Sequence, residues 1–232
     1  MGSFHENYRE ISRHMVKILE AAGVRFGVLG EEECCCGDPA RRLGDEKLFQ
    51  TLAKENIRRI HSYPVKKIVT LCPHCLNTLK NEYPDLGGNF DVVPAIQFVL
   101  ELLSLGKVVP RYPVERKITI HDPCYLGRLN QVYQPFREVC GKVPGLGLTE
   151  MAQNRANSFC CGGGGGRMWL NPGFGLGMNL IRSEHAVQSG AEVLGTACPH
   201  CMIMLDDGLR SLGMENPPIV KDIIEIISIS IA

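Results

Sequence analysis

Five cysteines in the second half of the chain have the types and spacing of a soft-metal site. Cys124 stands in His121-Asp122-Pro123-Cys124-Tyr125-Leu126-Gly127-Arg128, Cys160 and Cys161 are adjacent, and Cys198 and Cys201 frame Cys198-Pro199-His200-Cys201. The pattern reads C-x35-CC-x36-C-x2-C. Soft metals take thiolates that converge from separate parts of a fold, and this set offers five from three places. Zinc takes four ligands, and two adjacent cysteines fit one tetrahedral ion poorly, whereas they can grip neighbouring irons of a cluster. The glycines after the adjacent pair, Gly162 to Gly166, would let the backbone approach such a group and donate N–H bonds to its sulfurs.

The elements around these residues alternate between strands and helices. In the second half, Lys117 to His121 reads as a strand running into Asp122-Pro123-Cys124, with a helix following to about Cys140. Leu146 to Glu150 is a strand, the Cys160-Cys161 loop comes next, and a helix spans about Leu176 to Gln188. Glu192 to Thr196 then delivers Cys198-Pro199-His200-Cys201 to a helix ending near Leu212, and Ile219-Val220 leads into a terminal helix. A Cys-x-x-Cys at a strand-to-helix junction puts thiols where the helix dipole favours negative charge.

The first half follows the same order. Tyr8 to Ala22 is amphipathic through Ile11, Met15, Ile18, Leu19 and Ala22, Arg25 to Leu29 reads as a short strand, and Cys34-Cys35-Cys36-Gly37-Asp38-Pro39 is a loop. Glu46 to His61 returns to helical spacing, and Lys67 to Leu71 is a buried-type strand ending at Cys72-Pro73-His74-Cys75. A helix from Leu76 to Glu82, a strand from Phe90 to Val93 and a helix from Ala95 to Ser104 complete it. The register is an internal repeat: 125 residues separate Cys35 from Cys160, and 126 separate both Cys72 from Cys198 and Cys75 from Cys201. The counterpart of Cys124 falls upstream of Met1, so the first set is expected to lack its leading cysteine. Expected domains are 1–106 and 117–232, joined by a Pro-containing linker at 107–116. The expected class is α/β with two tandem, Rossmann-like domains and largely parallel sheets.

Composition narrows the function classes. The chain has 232 residues, 25 basic and 25 acidic, with 44% hydrophobic and 22% charged residues. That is an ordinary globular balance with no basic footprint for nucleic acid. Met1 to Glu20 is charged and helical in pattern rather than a secretion signal, and no run of about 18 apolar residues suggests a membrane span. Eleven cysteines without a secretion signal point to a reducing, cytoplasmic setting and to metal binding or redox work rather than disulfides.

At these residues the chain resembles the CCG (cysteine-rich) domain family of heterodisulfide reductase catalytic subunits and heterodisulfide reductase-like bacterial iron–sulfur oxidoreductases. The resemblance rests on Cys124, Cys160-Cys161-Gly162 and Cys198/Cys201, with Gly30-Glu31-Glu32-Glu33, Cys36-Gly37-Asp38-Pro39-Ala40-Arg41-Arg42, Cys72-Pro73-His74-Cys75 and Gly165-Gly166-Arg167-Met168-Trp169 beside them. It implies two tandem CCG domains, each holding a noncubane 4Fe–4S cluster. Cys124, Cys160, Cys161, Cys198 and Cys201 would serve the second, and Cys35, Cys36, Cys72 and Cys75 the first. It further implies an electron donor, either a ferredoxin-like iron–sulfur segment or a flavoprotein, and a small thiol, disulfide or related substrate. Membrane association would come through upstream or partner segments. The family places the first leading cysteine shortly before the residues seen here as Gly2-Ser3-Phe4.

Other readings stand beside this one. Cys-Pro-His-Cys between a strand and a helix also suits a thioredoxin-like thiol-disulfide oxidoreductase, though that explains neither the adjacent pairs nor Cys124. A zinc-stapled binding module would use four of the thiols. Gly162 to Gly166 has no following Lys-Ser/Thr and makes no phosphate loop. Cys140 matches no site and reads as a buried small hydrophobe. Cys34 is a spare thiol that stands in for the absent leading cysteine only with poor geometry. Arg41, Arg42, Arg128 and Arg167 follow cysteine loops as either salt-bridging groups or cations for an anionic cluster or substrate. His74 and His200 are expected to hydrogen-bond near the sites rather than ligate metal.

Overall fold

The computed structural model describes residues 6–170 and 177–231, with the side chains of residues 6–8 left out. The Gly2-Ser3-Phe4 segment and the expected helix start at Leu176 lie outside the described residues. Four parallel strands organise the second half: β3 (Arg116–Ile120), β4 (Leu146–Leu148), β5 (Val193–Thr196) and β6 (Ile219–Asp222), in the spatial order β4-β3-β5-β6. Every residue of β5 is buried, as a central strand covered on both faces must be. Between these strands run α6 (Gln134–Lys142), α7 (Met178–Gln188), α8 (Pro199–Ser211) and the terminal α9 (Ile223–Ile231). The helix expected after Cys124 begins ten residues later, because Pro123 to Asn130 is spent on tight turns around the site. From β3 the chain crosses to β4 on one side and then to β5 on the other. The strand order therefore switches between β3 and β5, and their carboxyl ends open a crevice there.

The first half repeats part of this plan. It contains α1 (Glu6–Ala21), α2 (Asp38–Arg42), α3 (Glu46–His61), β1 (Lys67–Thr70), α4 (Pro73–Asn77), β2 (Asp91–Pro94) and α5 (Ala95–Ser104). Lys67 pairs with Asp91 in β1 and β2 as Val193 pairs with Ile219 in β5 and β6. The helix expected from Leu76 to Glu82 is α4 followed by a π-helical stretch, Thr78–Glu82, and a 3-10 turn, Tyr83–Leu86.

One expected strand is absent. Residues 24–29 carry no ladder, and Phe26 and Val28 are exposed. The reason lies in sheet pairing. The segment corresponding to it, β4, hydrogen-bonds only to β3, and no counterpart of β3 stands beside β1 among the described residues. A strand with no partner cannot satisfy its backbone groups as a strand.

The two halves share one hydrophobic core. α1 packs on α9 and α5 packs on α6, so the first helix of each half lies against the last helix of the other. Ile11, Met15 and Ile18 from α1, Ile96 and Val99 from α5, Phe136 and Val139 from α6, and Ile223 and Ile227 from α9 are all buried in it. The connecting stretch is also tied down. Val108 is buried, Arg111 and Tyr112 donate backbone N–H bonds to the Ser230 carbonyl, and Val114 donates to that of Pro144. No described helix is long and apolar enough to cross a membrane.

Because this core is continuous, Ile227→Ala should cost about 3 kcal/mol and should destabilise both halves together. Urea unfolding followed by far-UV circular dichroism and by the fluorescence of Trp169 should give coincident midpoints, both lowered in the variant.

Candidate metal centre

Each arm of the second-half site is delivered by a strand end or a built loop. β3 ends at His121-Asp122-Pro123-Cys124, and β5 ends at Cys198, the N-cap residue of α8, which carries Cys201 in its first turn. Asp122 fastens the first arm. It accepts two hydrogen bonds from Arg137 of α6, at 2.8 and 2.9 Å, and one from the backbone N–H of Arg155, at 2.7 Å. Arg137 also grips Glu150 at 2.7 and 3.0 Å. The same carboxylate thus anchors the β3 loop, α6 and the turn that leads into Cys160-Cys161.

The five thiols form one chain of contacts, running Cys124, Cys160, Cys161, Cys201, Cys198. The Cys161 and Cys201 sulfurs are 3.3 Å apart. Close thiols cannot all ionise, so their acidities separate. The neighbouring Cys124 and Cys161 thiols hold Cys160 down to about 2. Cys161 is in turn pushed up to about 12, chiefly by Cys160, and Cys124 and Cys201 are raised by the same kind of partnership. Burial opposes ionisation of Cys198, but the Cys201 thiol and the His74 ring outweigh it and hold that pKa well below the usual thiol value.

In the first half Cys35, Cys36, Cys75 and Cys72 form an equivalent chain. The Cys35 and Cys75 thiols depress Cys36, while Cys36 raises both of them. Both adjacent pairs are closed by the same backbone device. Gly37 (φ 88°) and Gly162 (φ 87°) take the left-handed conformation, and their N–H groups turn back onto the Cys35 and Cys160 sulfurs at 3.4 and 3.3 Å. In the first half the loop is clamped further. Asn56 donates to the Cys35 carbonyl at 2.9 Å, and the buried Tyr83 hydroxyl donates to the Cys36 carbonyl at 3.0 Å.

The two sets meet through His74. Its Nδ1 bonds Asp38 at 2.9 Å, and the ring interacts with Cys198 of the other half. It stacks on Tyr125 at 3.8 Å between ring centres and lies 4.4 Å from His200. Burial works to lower the His74 pKa, but Asp38 and the Cys198 thiol prevail and raise it to about 11. His74 is therefore cationic between two thiol clusters.

Residues outside these sets have other partners. Cys140 is buried in α6, in the shared core, where burial pushes its thiol up to about 12 and leaves it inert. The Cys34 sulfur accepts from Arg59 at 3.1 Å. Arg41 bridges Glu82 at 2.8 Å, Arg42 bridges Asp38 at 3.0 Å and also Glu82, and Arg128 donates to the carbonyls of Ala156 and Ser158.

Sequence reasoning quoted His121 in the Cys124 motif without giving it a role, and passed over Asn56, Tyr83, Arg137 and Arg182. The last has a legible signal, since Asn179, Arg182, Ser183 and Ala186 follow helical spacing and form the buried face of α7.

The donor set fits an anionic soft-metal cluster. Five sulfurs converge at the switch point of a parallel sheet, and the buried His121 Nε2 has no hydrogen-bond partner among the described residues. The ligand-type atoms of His121, Cys161 and Cys201 lie within 4.8 Å of one another.

A parallel α/β repeat carrying thiols at matched strand ends defines a class of cysteine-rich metal-site domains. The chain belongs to the CCG cysteine-rich domain family, which matches residues 2–80 and 118–206. It is 42% identical over its whole length to the probable iron-sulfur-binding oxidoreductase FadF of Bacillus subtilis, covering 33% of that protein. It is 40% identical, over 97% of its length, to the EtfAB:quinone oxidoreductase of Syntrophomonas wolfei, covering 32% of that protein. One polypeptide of the dihydromethanophenazine:CoB–CoM heterodisulfide reductase of Methanosarcina barkeri is 33% identical over 91% of this chain and is covered to 53%. The chain thus spans between a third and about half the length of these relatives.

The left-handed glycines provide a direct check. Gly37→Ala should cost about 1–2 kcal/mol for the backbone conformation alone. It should cost more in total, because a Cβ there would stand 2.8 Å from the Phe49 ring. Gly106→Ala, also at positive φ but with open space around it, should show only the backbone cost. Denaturant midpoints of the two variants separate these contributions.

Proposed function

We propose that this chain is the paired iron–sulfur portion of a heterodisulfide reductase-like oxidoreductase. Cys124, Cys160, Cys161, Cys198 and Cys201 would hold a noncubane 4Fe–4S cluster, and Cys35, Cys36, Cys72 and Cys75 a second. Such clusters supply one-electron redox chemistry. The observation that carries this reading is the convergence of five thiols at the β3/β5 crevice, joined through His74 to four more. We read 1–106 and 117–232 as the two domains, with 107–116 between them. Electrons would come from a ferredoxin-like iron–sulfur segment or a flavoprotein and pass to a small thiol, disulfide or related acceptor. Attachment to the cytoplasmic side of a membrane would rest with other segments or partners.

Within this scheme the chain's own residues do four things. The glycine N–H groups at 37 and 162 and the α8 N-terminus stabilise negative sulfur. Asp122 and Arg137 hold the β3 loop in place. His74 places a buried positive charge between the two thiolate sets, which lowers the cost of holding both anionic. Tyr125 fixes the His74 ring by stacking. The first-half set has one thiol fewer, and β1 has an open edge among the described residues. A parallel strand laid along that edge would end where β3 ends in the second half, and a cysteine following it would complete the set.

A thioredoxin-type reaction needs an accessible attacking thiolate. Cys198 is 1% exposed and Cys201 2%, so burial speaks against that reading.

Anaerobic reconstitution with iron and sulfide, followed by metal and acid-labile sulfide assay and EPR, tests the proposal. Both elements should bind, and a paramagnetic state should appear on oxidation or reduction. Cys161→Ser should lose most of the second-site signal, while Cys140→Ser should leave metal content unchanged. Stoichiometric zinc without sulfide would sink the cluster reading in favour of a stapled binding module.

A further inference from the structure

Beneath the second-half thiols lies a cation that no carboxylate contacts among the described residues. Arg182 of α7 is 0% exposed. Among the described residues its hydrogen bonds go to neutral acceptors: His121 Nδ1 at 3.1 Å, the Gln153 carbonyl at 2.9 Å and Ser158 Oγ at 3.1 Å. A guanidinium stripped of water with no anion against it is among the costliest groups to bury. The groups whose negative forms reach it electrostatically are Asp122, already engaged by Arg137, and the Cys201 and Cys161 sulfurs once they give up their protons to a metal.

The contact with His121 decides the chemistry of that ring. A guanidinium has donors only, so Nδ1 must present its lone pair and the ring proton must sit on Nε2. That Nε2 is buried and has no hydrogen-bond partner among the described residues, and the His121 ring presents a nitrogen within 4.8 Å of the Cys161 and Cys201 sulfurs. His121, Cys161 and Cys201 have the spacing of a three-ligand metal site. A nitrogen that keeps its proton cannot ligate, however, and Arg182 forces the proton there.

We propose that Arg182 and His121 form a buried electrostatic pair that tunes the second-half cluster rather than ligating it. Arg182 fixes the tautomer of His121, His121 donates its Nε2–H to a sulfur of the group held by Cys161 and Cys201, and the guanidinium supplies the compensating charge. Both are positioning residues, and the inference rests on the iron–sulfur reading above. Positive charge and an N–H donor favour the more negative state of a redox centre. Removing either should therefore lower the reduction potential while leaving the metal bound.

The test uses the full chain, reconstituted anaerobically with iron and sulfide and labelled with ¹⁵N-histidine. Arg182→Met and His121→Phe should keep iron and sulfide content. Each should shift the one-electron reduction equilibrium at least tenfold toward the oxidised form, a fall of about 59 mV per factor of ten, measured by EPR-monitored redox titration. Arg182→Lys should recover part of the shift. In the unsubstituted chain, ENDOR should show a weak ¹⁵N coupling together with an exchangeable proton, as expected for an N–H···S contact. This last measurement stands even where a core variant fails to fold. A strong coupling from directly bound nitrogen, or iron lost with His121→Phe, would make His121 a ligand and overturn the proposal. An unchanged potential in Arg182→Met would overturn it as well. If no sulfide binds to any form, the cluster reading itself has failed and takes this inference with it, an outcome distinct from a bound cluster whose potential does not move.

Discussion

Like charge brought together in a place without water is the constraint on which the rest of the structure depends. Nine thiols gather in two sets whose members mostly face the interior, and left to themselves neighbouring sulfurs divide into thiolates and thiols. Everything around them lowers the cost of negative sulfur. Glycine N–H groups turn inward, a helix begins at Cys198, and His74 and Arg182 stand as buried cations near the second set. Such surroundings favour an anionic group at the sulfurs.

Precision at the site depends on how the halves are joined. Two independent domains on a flexible linker could not keep His74 of one against Cys198 of the other. The crossed packing of α1 on α9 and α5 on α6 makes one core of both repeats, and the connecting stretch is hydrogen-bonded along its length. The aromatic and imidazole rings of Tyr125, His74 and His200 then stack across the seam. Rigidity in the shared core is what permits a contact between the sites.

Much of this was legible in the residues. The cysteine register at 125 and 126 residues identified the repeat, and strand-helix alternation identified parallel α/β layers. The nine expected ligand positions fall into two connected thiol sets, while Cys140 lies in the core and Cys34 faces Arg59. The strand expected from Arg25 to Leu29 failed because strand propensity is local and a strand needs a neighbour. The helix expected after Cys124 started late because Pro123 and the turns behind it serve the site.

By itself, the sequence determined which atoms are available and on which element each sits. Thiols at strand ends follow from periodicity and from the Cys-Pro-His-Cys and Cys-Cys-Gly motifs. Tertiary structure alone decided which groups meet. Nothing in the spacing of residues 38, 74 and 198 says that a carboxylate, an imidazole and a thiolate from both halves are aligned. Nor does an arginine in mid-helix announce that it lies under a histidine 61 positions away. Those contacts arise from packing two repeats around one core, and burial gives them their strength, because charge that is weak in water becomes decisive where water is excluded.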